Sequence, residues 1–247
     1  MIHADNKLAA IILAAGRGKR MNSDLPKVLH EVGGRPMVTW VADTAREVGA
    51  QPIIVIVGTG QQLIEATLSE LGATFVPQGE PLGTAHAVLQ ARSFLENFEG
   101  DVVVLSGDVP GITAHTVRKL LRRHTETGAS ATMMSGEITD PTGYGRVIKD
   151  GDGHLLRVVE ERDTSPDEKL VTEVNAGVYL FRAADLFRTL PLVKNNNQQK
   201  EYYLPQVLSI LLEQNKVVTV EKAENYREIL GVNTQTELRR VHAETFS

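Results

Sequence analysis

The stretch Leu13-Ala14-Ala15-Gly16-Arg17-Gly18-Lys19-Arg20-Met21, continued by Leu25-Pro26-Lys27-Val28-Leu29, decides how this chain is read. The apolar run Leu8 to Leu13 is too short to make a helix of its own. It stops at small residues and two glycines, the pattern of a buried strand entering a loop. Gly16 and Gly18 can take positive φ and bare consecutive amide N–H groups. Arg17, Lys19, Arg20 and Lys27 place four cations around them against one acid, Asp24. Such a cradle suits a triphosphate, with a plain strand-to-loop turn as the alternative for a lone Gly-x-Gly. Two common phosphate sites are excluded by spacing. Met21 stands where a dinucleotide fingerprint needs its third glycine, and Gly-Lys-Ser/Thr never occurs.

Beyond the cradle, strand-like and helical stretches alternate. Helices are expected over 36–48, 61–71, 84–95 and 113–124, and buried strands over 51–57, 74–76 and 101–105. The strand around Ile53 to Val57 is continuously apolar, as in a parallel strand covered on both faces. The strand at 101–105 runs straight into Ser106-Gly107-Asp108-Val109-Pro110, so a carboxylate ends a parallel strand, where open α/β sheets bind ligands. An ionised Asp108 buried there without a partner would be costly, which favours a functional reading. From Ala129 the rhythm changes. Strand-like pieces at 131–138, 145–149, 155–160 and 171–181 are broken by Asp-Pro-Thr-Gly-Tyr-Gly and Asp-Gly-Asp-Gly turns, the signature of an antiparallel lobe added to the sheet. Helices at 183–189 and 202–213 follow, separated by a polar 195–199 segment read as a solvated loop, then a strand at 217–220 and a helix at 235–244.

With 247 residues, 42% hydrophobic and 23% charged, the composition is that of an ordinary globular chain and names no function. A net charge of −5 argues against non-specific nucleic-acid binding. The absence of cysteine removes thiolate metal sites, disulfides and cysteine nucleophiles, and fits a cytoplasmic location. The polar N-terminus and the short apolar run behind it give neither a signal peptide nor a membrane span.

Taken together, these motifs resemble the sugar-nucleotidyltransferase family, and within it the uridylyltransferase half of the bifunctional bacterial enzymes that make UDP-N-acetylglucosamine. The resemblance is carried by the Leu-Ala-Ala-Gly-x-Gly-x-Arg-Met cradle, Pro26-Lys27-Val28-Leu29, Gln78 with Leu82-Gly83-Thr84-Ala85, Gly107-Asp108-Val109-Pro110, Gly143-Tyr144-Gly145-Arg146, Glu160, Asn175 with Gly177, Glu201-Tyr202-Tyr203 and Gly231-Val232-Asn233. It implies an α/β, Rossmann-like three-layer nucleotidyltransferase fold with a mostly parallel central sheet and a small antiparallel sugar-binding lobe. One domain is expected over 1–247, with a nucleotide-binding part at about 1–128, the lobe at about 129–233 and a closing helix at 234–247.

The implied reaction joins UTP and N-acetylglucosamine 1-phosphate to give UDP-N-acetylglucosamine and pyrophosphate. A phosphate oxygen of the sugar phosphate attacks the α-phosphorus, so no protein nucleophile is required and catalysis rests on positioning and charge. The resemblance implies that Arg17 and Lys27 are catalytic. It assigns Leu13, Ala14, Ala15, Gly16, Gln78, Gly83, Thr84, Gly107 and Asp108 to the nucleotide, and Gly145, Glu160, Asn175 and Asn233 to the sugar. Asp108 and Asn233 match the metal ligands, with Mg²⁺ the expected ion. Each residue has a plainer reading by itself: Gln78 as surface, Glu160 as part of the solvated run Glu160-Glu161-Arg162-Asp163, Asn175 as a turn cap.

His86 is expected to pack or cap rather than act as a base, because a sugar phosphate is already ionised. His30 and His124 lack metal-ligand spacing, and Trp40 is expected in the core. Ser106 and Ala176 depart from the commoner residues near the implied sugar pocket and leave the exact sugar open. Other sugar phosphates or nucleotides (glucose 1-phosphate, dTTP, CTP) and a catalytically silent sugar-nucleotide binder are the alternatives. The chain carries no hexapeptide-repeat β-helix, so acetyl transfer is not expected of it.

Overall fold

The computed structural model describes residues 7–16 and 18–247. In chain order, β1 (Lys7–Ala14) leads through a loop to a two-residue hairpin, β2 (Glu31–Val32) and β3 (Arg35–Pro36), and into α1 (Met37–Glu47). Next come β4 (Ile53–Val57), α2 (Gln61–Thr67), β5 (Thr74–Pro77), α3 (Thr84–Leu89), α4 (Arg92–Leu95), β6 (Gly100–Ser106) and α5 (Ala114–Thr127). The remainder is β7 (Ala131–Glu137), β8 (Arg146–Lys149), β9 (Leu155–Val159), β10 (Glu173–Arg182), α6 (Ala183–Thr189), α7 (Gln206–Glu213), β11 (Val218–Lys222) and α8 (Gln235–Thr245).

A nine-stranded sheet has the order β11-β7-β10-β6-β1-β4-β5, with the β8–β9 hairpin attached through β10. Strands β6, β1, β4 and β5 are parallel, β10 runs antiparallel to both β6 and β7, and β11 is parallel to β7. The four strand-like pieces after Ala129 are therefore joined by antiparallel pairings, but β7 and β10 lie inside the main sheet, and only β8 and β9 stand off it. From β1 the chain moves through β4 to β5 on one side, then returns to place β6 on the other side of β1. That reversal opens a crevice at the carboxyl ends of the central strands.

Period-two alternation sends each strand's side chains to two separate cores. Ala10, Ile12, Val55, Val57, Val103 and Leu105 face a layer holding α1, α2, α5 and α8, through residues such as Val41, Ile64, Leu120 and Val241. Ala9, Ile11, Ile54, Ile56, Val102 and Val104 face α3, α4, α6 and α7, through Val88, Leu95, Leu186 and Leu208. This is the three-layer arrangement expected from the sequence, and it explains why the strands read as continuous apolar runs. Trp40 is only half-buried; it packs on Phe246 at 4.9 Å between ring centres and donates from Nε1 to Val32 O at 3.0 Å.

Two local expectations are corrected. The helix expected over 84–95 divides at Gln90-Ala91, because Gln90 Nε2 donates to His86 O at 2.9 Å, and the Gln90 amide turns to Ala87 O at 3.1 Å. The helix expected from 202 starts at Gln206. Tyr202 is held in extended pairing, its N–H on Leu82 O and its carbonyl on the Ala85 N–H, both at 2.8 Å, and Pro205 precedes the helix with φ −56°. The 195–199 segment is a solvated loop as expected, and it is held by Gln198 N–H donating to Asp163 Oδ1 at 3.0 Å and Asn197 Oδ1 accepting from Glu201 N–H at 3.1 Å. The β2–β3 hairpin had no sequence signal, since two-residue strands carry no period.

No helix among the described residues is long and apolar enough to cross a membrane. Phe181, fully buried on β10, anchors the second core where the antiparallel strand enters the sheet. Phe181→Ala is expected to lower unfolding free energy by about 3–5 kcal/mol, checked by the denaturant midpoint at unchanged m-value.

Candidate active site

The loop after β1 crosses the carboxyl ends of the strands and brings Lys27 beside two residues distant in sequence. The Lys27 ammonium forms an ion pair with Asp108 and donates to Asn233 Oδ1 at 3.0 Å. Each partner is held by backbone. Gly107 N–H donates to Leu13 O at 3.0 Å, and a Cβ on Gly107 would lie 2.8 Å from that oxygen, so glycine is what lets Asp108 approach the end of β1. Val232 N–H donates to Asp108 O at 2.9 Å, tying the Asp108 and Asn233 loops together. Asn233 is fixed by the capping box that starts α8: Glu237 Oε2 accepts from the Asn233 and Thr234 N–H groups at 2.6 and 3.0 Å, while Thr234 Oγ1 accepts from Glu237 N–H at 3.2 Å. Gly18, at φ +58°, packs on the Lys27 stem, where a Cβ would come within 2.7 Å of Lys27 Cβ.

A cleft of about 630 Å³ opens from this cluster. Leu13, Ala15, Gly16, Lys27, Gln78, Gly83, Thr84 and Asp108 all line it. Ala14 ends β1 with its side chain buried in the first core, and Gly107 serves as the spacer just described. Arg17 lies outside the described residues. The Gly83 turn sits at φ +112°, and a Cβ there would fall 2.5 Å from Tyr202 O. Glycine is thus required twice, by conformation and by the close approach of the 201–204 segment, whose Leu204 N–H donates to Thr84 Oγ1 at 2.9 Å.

Of the residues implied for the sugar, Asn233 lies in the first cluster, while Gly145, Glu160 and Asn175 gather as a second one beyond Ser106, outside the lining of the cleft itself. Gly145 O accepts from Asn175 N–H at 2.8 Å, and a Cβ on Gly145 would lie 3.4 Å from Glu160 Oε1. Asn175 starts a bulge in β10; its Oδ1 accepts from Gly177 N–H at 3.0 Å and its Nδ2 donates to Tyr179 Oη at 2.6 Å. Gly177 adopts φ +69°, and Ser106 Oγ donates to its carbonyl at 2.9 Å. Asn175 therefore does cap a turn, and that turn faces the cleft residue Ser106. Tyr144 Oη accepts from Gly231 N–H at 3.0 Å, joining this lobe to the Asn233 loop.

Burial, reinforced by nearby Asp163 and Glu201, pushes the Glu160 carboxyl up to about 7. Burial also raises Glu201, with Arg162 opposing. Arg162 and Glu201 both line the cleft. Arg162 carries no sequence signal, because inside a charged run it looks like any solvated residue; only its position in the cleft near Glu201 distinguishes it.

Chemically, Asp108 and Asn233 present a carboxylate and an amide oxygen to one point, and that point already accommodates a cation, the Lys27 ammonium. An all-oxygen pair with room for waters and phosphate oxygens fits a hard divalent ion such as magnesium.

Residues 10–163 match the family model of the MobA-like NTP transferase domain. The chain is 47% identical over 234 residues to the bifunctional protein GlmU of Pelotomaculum thermopropionicum, covering 95% of this chain and 51% of that protein. It is 46% identical over 235 residues to GlmU of Alkaliphilus metalliredigens and 44% identical over 229 residues to GlmU of Bacillus cereus, with 95% and 93% of this chain and 51% and 50% of those proteins covered. The chain spans about half the length of the curated relatives it matches. Among solved structures, a putative glucose-1-phosphate thymidylyltransferase from Bacillus anthracis superposes with a TM-score of 0.77 at 19% identity, over 97% of this chain and 96% of that one, a likeness of fold.

Between pH 4.5 and 7 the folded protein holds a proton on Glu160 that the unfolded chain has lost, so stability falls as pH rises through that window. Glu160→Gln is expected to flatten this fall, so that the melting temperatures of variant and wild type differ more at pH 8 than at pH 4.5.

Proposed function

The chain belongs to the MobA-like NTP transferase family, and from that premise we propose that it transfers a uridylyl group, converting UTP and N-acetylglucosamine 1-phosphate to UDP-N-acetylglucosamine and pyrophosphate. One observation carries the reading: Lys27, Asp108 and Asn233, from three distant stretches of chain, meet at the head of a cleft floored by the end of β1. The high identity to GlmU proteins across nearly the whole chain supports the choice of nucleotide and sugar.

The nucleotide would lie along the crevice with its phosphates toward Gly16 and Lys27 and its base toward Gln78 and Gly83. These ends are separated by the width of β4, two strand spacings or about 10 Å. Residues to about 128 would hold the nucleotide, those at about 129–233 the sugar phosphate, and 234–247 would close the domain while fixing Asn233. The attacking oxygen of the sugar phosphate would approach from the Ser106 and Asn175 side, opposite the departing pyrophosphate. Lys27 would neutralise charge building on the α-phosphate, and Arg17, by its place in the cradle, the pyrophosphate. Gly145, Glu160 and Asn175 would receive the hexosamine hydroxyl and acetamido groups; a protonated Glu160 can donate as well as accept. Mg²⁺ held by Asp108 and Asn233 would neutralise phosphate charge and favour in-line geometry. For that ion to bind, the Lys27 ammonium must leave the oxygens it now occupies, which frees it for phosphate.

Pyrophosphate release with UTP and Mg²⁺, compared across N-acetylglucosamine 1-phosphate, glucosamine 1-phosphate and glucose 1-phosphate with an EDTA control, tests the reading. Preference for the acetylated sugar is the expected result; turnover with another sugar alone would replace the substrate, and no turnover with any would remove the enzymatic reading. Asp108→Asn is expected to lower kcat by roughly 10²–10³ with the fold unchanged by circular dichroism.

A further inference from the structure

We propose that His86 is a positioning residue which fixes the polarity of Gln78 toward the nucleobase, so that the cleft selects a pyrimidine bearing a ring N–H over one presenting a bare ring nitrogen. The proposal rests on the uridylyl reading above and deepens it. Gln78 follows β5, is 7% exposed, and lines the cleft. Its Nε2 lies 3.2 Å from Gly83 O and 3.0 Å from His86 Nδ1. A backbone carbonyl can only accept, so the amide atom facing Gly83 must be the nitrogen; the reversed amide would set two oxygens against each other. The second amide hydrogen then points to His86 Nδ1, which must be unprotonated, leaving the ring proton on Nε2.

His86 is itself held. It stands on α3, where Gln90 Nε2 donates to its carbonyl at 2.9 Å and contacts its ring Nε2 only at 3.4 Å, so the shorter Nδ1 contact claims the ring's lone pair. With both amide hydrogens engaged, Gln78 has only Oε1 left. That oxygen has no partner among the described residues and is not sealed from solvent. Gln78 is thereby an acceptor and nothing else. An amide free to reverse could read either kind of base; this one is complementary to the N3–H of uracil and sets lone pair against lone pair with N3 of cytosine. The break between α3 and α4 belongs to the same device, since the Gln90 side chain that supports His86 also interrupts the helix.

The test is equilibrium binding of UTP and CTP to wild type, His86→Phe and His86→Asn. Phenylalanine keeps the ring shape without an acceptor; the asparagine oxygen falls near the place of Nδ1. Wild type is expected to prefer UTP, His86→Phe to lose about tenfold of that preference, and His86→Asn to recover most of it. Should His86→Phe not fold, His86→Leu serves as the acceptor-free variant. Equal weakening of both nucleotides in the acceptor-free variant would mean a merely structural role and would overturn the proposal, as would an Asn variant no better than Phe. A wild type that prefers UTP alongside an unchanged Phe variant would overturn this inference alone. A wild type with no preference would overturn it together with the uridylyl reading.

Discussion

The parallel pairing of β1 with β6 is the constraint from which the site follows. Their register sets Leu13 opposite Ser106, so the two loops leaving those strands begin side by side at the same edge of the sheet. Gly107 allows the backbones to touch where any Cβ would collide with Leu13 O. Once that contact is made, Asp108 stands by the end of β1, where it pairs with the Lys27 ammonium. The middles of both strands, Ala9 to Ile12 and Val102 to Leu105, are fully buried on two faces, so the pairing is stabilised by the cores above and below rather than by the polar residues it positions.

The remaining parts of the cleft are held by reciprocal contacts between segments far apart in sequence. The 201–204 segment lies along the Gly83 turn and leaves no room for a side chain there. The Asn233 loop hangs between the Asp108 carbonyl, the Tyr144 hydroxyl and the capping box of α8. These are loops with fixed hydrogen-bond partners, which hold their backbones in place independently of where the Lys27 ammonium sits. Ser106 illustrates the economy of the arrangement, its hydroxyl satisfying the β10 bulge while it lines the cleft.

Much of this was legible beforehand because two signals agreed. Continuous apolar strands alternating with helices pointed to a layered parallel sheet, and Gly16-x-Gly18 to a loop with positive φ, which Gly18 adopts and Gly16 does not. Asp108 was readable as a carboxylate in need of a partner, since it ends a buried strand, and the partner is Lys27. The helix break at Gln90 and the delayed start of α7 were not readable, because both arise from side-chain or backbone bonds to another segment. Arg162 and Glu201 look like solvated charges in one dimension and line a cleft in three.

The sequence by itself determined the layered α/β class and a glycine-containing basic loop after β1, since strand burial, turn chemistry and local charge are properties of neighbouring residues, whereas Gln78, Gly83 and Thr84 were marked only by the family resemblance. Tertiary structure alone decided that β7 and β10 enter the main sheet, that Lys27 bridges Asp108 and Asn233, that Glu160 keeps its proton to about 7, and that His86 orients Gln78. Each of these depends on desolvation or on a hydrogen-bond partner supplied from elsewhere in the chain, and neither quantity exists until the chain has folded.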